Sequence, residues 1–166
     1  MLPFTVTVDA SLKSPPASDL KTFLTWNAAH SSDNKVRFLV PTNVYPPGSL
    51  TSEDPPRNYL TYLQGFTSYG VTLSNVVKTT VGGHPATLMT ATSDSASDMD
   101  GTLGCPNTGA DQSEGCFGIQ TGIAVRLAVI PIGNTTLLAW AKTNKASPDE
   151  AFLAMFDRML NSVRFR

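Results

Sequence analysis

A single apolar stripe near the C-terminus restricts this chain more than any other feature. Phe152, Met155, Phe156, Met159, Leu160 and Val163 recur at the spacing of one helical face, leaving Asp157, Arg158 and Asn161 for water. Ser147-Pro148-Asp149-Glu150 precedes the stripe as a start signal. Ser147 can cap, Pro148 suits the first helical position, and the two acids suit the positive end of the helix dipole. A long amphipathic helix of this kind must lie on another apolar layer. The runs Ala124 to Ile130 and Thr136 to Ala141 supply one, flanking the turn cluster Pro131-Ile132-Gly133-Asn134. Both runs are apolar throughout, which predicts two central strands.

The rest of the chain alternates strands and helices. Phe4, Val6 and Val8 mark a short strand. Ser18 or Asp19 can cap a helix carrying Leu20, Phe23, Leu24 and Ala28. Val36 to Val40 reads as a strand closed by Pro41, with Val44-Tyr45 as an edge piece. Tyr59, Leu60, Tyr62, Leu63 and Phe66 predict a second helix over residues 57–68, and residues 71–81 and 86–92 predict a hairpin around Gly82-Gly83-His84-Pro85. With 166 residues and no break in composition, the expectation is one domain over residues 1–166. Its class is α+β, a twisted antiparallel sheet packed between helices with a long C-terminal amphipathic helix.

Charge and cysteines bear on compartment and partners. Twelve basic and thirteen acidic residues leave a net charge of −1. No basic face is available to neutralise phosphates, so a nucleic-acid partner is not expected. No run of apolar residues is long enough for a transmembrane segment. Met1 leads directly into a strand-like segment, which fits either a cytoplasmic protein or an exported domain written without its leader. Cys105 and Cys116 favour the second. They bracket a segment rich in Gly, Asn, Asp and Ser, with no core pattern of its own, and a disulfide is the expected staple. The rival metal reading lacks ligands, and neither thiol has a His or Lys beside it for catalysis. An extracytoplasmic domain, secreted or lipoprotein-anchored, is therefore expected.

Three stretches resemble the PsbP-like superfamily, which also contains Ran-binding Mog proteins and LpqN-type lipoproteins. Phe38-Leu39-Val40-Pro41 before a Tyr-Pro-Pro-Gly loop is similar to its strand-and-proline opening. Val76 to Ala86, ending Gly83-His84-Pro85-Ala86, looks like its central hairpin. Phe152 to Phe156 with Ser162-Val163-Arg164-Phe165 resembles its closing helix and tail. The resemblance spans residues 36–166. It implies a twisted antiparallel sheet between helices and a binding or assembly role, with no catalytic set. Cys105 and Cys116 match no cysteine pair of that family, and residues 4–30 lie outside the aligned part.

Few residues offer chemistry. His84 sits in a predicted turn and His30 at a helix end, with no Gly-x-Ser-x-Gly elbow and no phosphate loop. Asp94, Asp98, Asp100, Asp111 and Glu114 are the one acidic concentration. Asp98-Met99-Asp100-Gly101 resembles part of a calcium loop, but the remaining ligand positions are missing, so solvated loop acids are the plainer reading. Arg37 and Arg126 interrupt apolar strands, which fits an edge or paired arginine with a packed stem, or else an anion at the sheet face. Tyr45, Tyr59, Tyr62, His84 and Arg126 make up the candidate binding surface.

The reading favoured is a non-enzymatic binding or assembly domain with a protein partner or cell-envelope ligand. No catalytic residue, metal or cofactor is assigned. Two alternatives stand beside it. One is a small hydrolase built on His84 and the Asp94–Asp100 acids, and the other a carrier of an apolar ligand in a cavity beside Phe152, Phe156 and Met159.

Overall fold

The computed structural model describes residues 4–94, 101–113 and 115–166. Nine strands and two α-helices follow one another among them, and the class is α+β with sheet predominating. In chain order they are β1 (Phe4–Thr5), β2 (Ser18–Asp19), β3 (Phe23–Asn27), β4 (Lys35–Leu39), α1 (Tyr59–Gly65), β5 (Val71–Val81), β6 (His84–Ser93), β7 (Ile123–Ile132), β8 (Thr135–Asn144), α2 (Glu150–Ser162) and β9 (Arg164–Phe165). A 3-10 turn, Phe66–Tyr69, extends α1.

Seven strands form one sheet in the order β2-β3-β4-β8-β7-β6-β5, every neighbouring pair antiparallel. The two strands expected to be central are central. β8 lies between β4 and β7, and β7 between β8 and β6, so the continuous apolar runs meet a covered surface on both sides. Alternate residues serve two cores. Val36, Phe38, Ala139 and Ile130 pack with the α2 stripe of Phe152, Met155, Phe156, Met159 and Leu160. Leu39, Leu127, Leu138 and Trp140 pack with Tyr59, Leu63 and Phe66 on the opposite face. The sheet thus lies between the two helices.

The C-terminal helix is shorter than expected and starts later. It runs for 13 residues, and Asp149 rather than Ser147 is its cap, accepting a hydrogen bond from the Phe152 amide at 2.9 Å. It ends because Val163 turns extended (φ −60°, ψ 134°), which lets Arg164 and Phe165 pair with Thr5 and Phe4. The two chain ends are thereby tied together. Phe165 also closes over the β5–β6 turn. A Cβ built on Gly82 would lie 2.6 Å from the Phe165 ring, and Gly82 has φ +58°, so both space and backbone call for glycine there.

The helix expected after Ser18 is instead β2 and β3. Leu20, Phe23 and Leu24 have helical spacing, yet Leu20 is 49% exposed. Phe23 joins the α1-side core, while Leu24 and Trp26 pack towards α2. Period-2 alternation with aromatic and β-branched residues prevails once β4 is present as a partner. On the far edge, β5 carries an irregularity between Ser74 and Val77, with Asn75 at φ 50°, which interrupts the regular ladder of an open edge strand.

Candidate functional site

The loops concentrate over the α1 face, held by the predicted cysteine pair. Cys105 and Cys116 form the disulfide. Their segment is less polar in effect than its composition suggests, since Leu103, Cys105 and Ile119 are all buried. Short bridges join Asn43 to Cys105 and Gly104 to Phe117, so the loop is stitched to residues 42–45 and to itself. Thr22 adds a hydroxyl bond to the Pro106 carbonyl at 2.6 Å.

The tyrosines of the candidate surface are posts for these loops. The Tyr45 hydroxyl donates to the Ala110 carbonyl at 3.0 Å, and its backbone amide donates to the Thr102 hydroxyl at 2.9 Å. The Tyr62 hydroxyl lies 2.7 Å from the Thr102 carbonyl and 3.1 Å from the Tyr45 carbonyl, sharing one proton between them. Burial pushes the Tyr62 phenol above its ordinary value, partly opposed by the hydrogen bond to Thr102, with Glu53 adding to the rise. Tyr59 is 3% exposed and belongs to the core, so it is not part of an open aromatic patch. It stands edge-on to Tyr62 with ring centroids 5.7 Å apart. Its hydroxyl has no hydrogen-bond partner among the described residues, and burial, then Tyr62, raises its pKa.

Beside Tyr59 opens a groove of about 620 Å³ that sequence reasoning did not anticipate. Pro41, Pro55, Pro56 and Pro131 wall it, Asp54 and Arg57 give one charge of each sign, and Asn134 of the β7–β8 turn with Thr135 and Thr136 at the start of β8 add polar groups. The prolines were visible as loop signals. What was not visible is that the turn after β7 and the loop before α1 face each other, because that follows from β4 pairing with β8 across the chain.

The other singled-out residues do not converge. His84 opens β6, pairs with Val81 and packs edge-on against Phe165 at 4.9 Å. Asp94 follows the far end of the same strand, roughly 30 Å away at the rise of a β-strand, where it pairs with Lys145. His84 and Asp94 therefore cannot act in one hydrolase site, and Asp98, Asp100 and Glu114 lie outside the described residues. No three metal-ligating side chains gather among the described residues. Arg126 sits 3.6 Å from Asp157 of α2 as a paired strand arginine. The apolar cavity expected beside Phe152, Phe156 and Met159 is matched only in part. Phe156 and Met159 are packed in the core, and a pocket of about 340 Å³ reaches only as far as Phe152 and Met155, under a rim of Asp9, Asn34, Asp149 and Arg158.

Among the described residues no helix is long and apolar enough to cross a membrane. No family profile matches the chain, and no curated protein matches it. Two solved structures are similar to it. Cyanobacterial PsbP (CyanoP) from Synechocystis aligns over 100% of this chain and 94% of its own, at 9% identity and a TM-score of 0.48. A protein of unknown function from Pseudomonas aeruginosa aligns over 95% of this chain and 94% of its own, at 13% identity and a TM-score of 0.49.

Proposed function

We propose that this chain is a non-catalytic binding or assembly domain that works outside the cytoplasm and seats a protein partner in the proline-walled groove. The observation that carries this reading is the lining of that groove. Its proline walls have little freedom to lose on binding, so a partner meets a pre-ordered surface. Asp54, Arg57 and residues Asn134 to Thr136 offer charged and neutral hydrogen bonds that can orient an extended peptide segment. The lining includes no histidine, cysteine, serine or lysine, which fits recognition better than turnover. The Cys105–Cys116 disulfide supports an oxidising compartment, whether the protein is secreted or lipoprotein-anchored.

Amide chemical-shift mapping with a partner co-purified from the native envelope tests the proposal. Shifts confined to residues 54–59 and 131–136 are expected, weakened when Arg57 is replaced by Glu. Shifts elsewhere, the lack of any co-purifying protein, or labelling of the pure domain by hydrolase probes would overturn it.

A further inference from the structure

β4 and β8 place three cations side by side on the loop-bearing face of the sheet. Lys35 stands directly opposite Lys142, and Arg37 directly opposite Trp140, one step further along the same face. Residues opposed in an antiparallel pair have Cβ atoms about 5 Å apart, and diagonal neighbours about 7–8 Å. All three side chains are half-buried. Like charges directly opposed on a sheet destabilise it. A fold that keeps this arrangement would be expected to surround it with carboxylates, yet none of the three makes an ion pair among the described residues. Burial, then Arg37 and Lys35, lower the Lys142 pKa, and among the described residues Asp33 is the carboxylate that opposes them.

Aromatic rings hold the arginine in position. Its guanidinium carbon lies 4.6 Å from the Phe117 ring centre and 5.9 Å from that of Trp140. Phe117 in turn stacks on Phe23 at 4.7 Å and is fixed next to the disulfide. Stacking occupies a guanidinium face and leaves its in-plane N–H donors pointing along the edge. The Arg37 Nε is buried with no hydrogen-bond partner among the described residues, a costly state for a donor. Burial brings the Arg37 pKa down to about 10, which still leaves it charged near neutrality. Asn27, opposite Lys35 on the next strand, adds a neutral amide to the same face.

We infer that Lys35, Arg37 and Lys142 form a binding site for a phosphate or sulfate group, a tetrahedral dianion whose charge answers three neighbouring cations. The group would lie at the rim of the cysteine loop, with Phe117 as its apolar wall. The site is separate from the proline groove, and neither proposal depends on the other.

Thermal melting and amide-shift titration of the whole chain test this inference, with inorganic phosphate, inorganic sulfate and, as a third arm, vesicles containing an anionic phospholipid. Sodium chloride at matched ionic strength is the control. A saturable rise in Tm is expected with phosphate or sulfate, with shifts centred on residues 35, 37 and 142. Lys142→Gln and Lys35→Gln should each weaken that response roughly tenfold or more. The free Lys142→Gln domain should melt no lower than the parent, since a like-charge contact is gone, which separates lost binding from lost folding. Binding to vesicles alone, at the same residues and equally sensitive to Lys142→Gln, would place the group on a lipid. A response no greater than that to chloride, or one unchanged in both lysine variants, would overturn the site.

Discussion

Asn34 and Asp149 meet across 115 positions of sequence and lock the β3–β4 turn to the start of α2. The Asn34 side-chain amide donates to one Asp149 carboxylate oxygen at 2.8 Å, while the other accepts from the Phe152 amide at 2.9 Å. The buried Thr143 hydroxyl receives the Asp149 amide at 3.1 Å. One carboxylate thus caps a helix and satisfies an amide that is 5% exposed.

Replacing Asp149 by Ala removes both bonds. The lost cap costs about 1 kcal/mol and the stranded Asn34 amide about as much again, for roughly 2 kcal/mol in all. Asp149→Asn, an equally good cap, keeps the bond from Phe152 but turns an N–H towards the Asn34 amide, and should lose about half of that. Urea unfolding at neutral pH checks the ranking; equal losses in the two variants would contradict the double role.

Opening the Cys105–Cys116 ring should also be felt. In the chain-entropy view, freeing a loop that spans 11 positions costs about 2.5–3 kcal/mol, or roughly 5–12 °C in Tm for a domain of this size. Leu103 and Ile119 remain packed, so the fold should persist in the reduced state. Melting with and without reductant measures the difference. A Tm unaffected by reduction would show that burial alone holds the loop.

Alkaline pH should weaken the fold through the buried phenols. Tyr59 and Tyr62 are both held above the ordinary tyrosine value of about 10. Their stabilisation is complete below that pH and is lost as pH rises towards the higher folded values, because the unfolded chain releases protons that the folded one keeps. Arg37 works in the opposite sense, since at about 10 its folded form sheds a proton that the unfolded chain retains. The clean measurement is therefore a difference. Relative to Tyr59→Phe, the parent should lose up to about 1.4 kcal/mol per pH unit above pH 10 in urea titrations. Parallel curves for the two proteins would refute it.

Two apolar positions should respond very differently to substitution. Phe156 is fully buried between α2 and the sheet, and Phe156→Ala should cost about 3–5 kcal/mol. Val77 lies on the outer strand beside the β5 irregularity and is 51% exposed, so Val77→Thr should stay within about 0.5 kcal/mol. Denaturant midpoints for the two variants settle the contrast.

Local signals determined much of this protein. The α2 stripe, the two hairpins and the apolar runs of β7 and β8 follow from spacing over a few residues, and the cysteine pair followed from a polar segment with two thiols and no ligand partners. Each depends on neighbours in sequence, and each is found where it was expected. Tertiary structure decided what depends on distant partners. Phe23 to Asn27 became a strand because β4 was there to pair with it, against a helical spacing of its apolar residues. Asp149 displaced Ser147 as the cap because Asn34 of the β3–β4 turn and Thr143 of β8 reach it from distant parts of the chain. His84 and Asp94 were separated by the length of β6, whereas Lys35, Arg37 and Lys142 were gathered by the β4–β8 register. The proline groove and the cation cluster have the same origin. Both are made by segments far apart in the chain, and no window of sequence holds the pairing that brings their residues together.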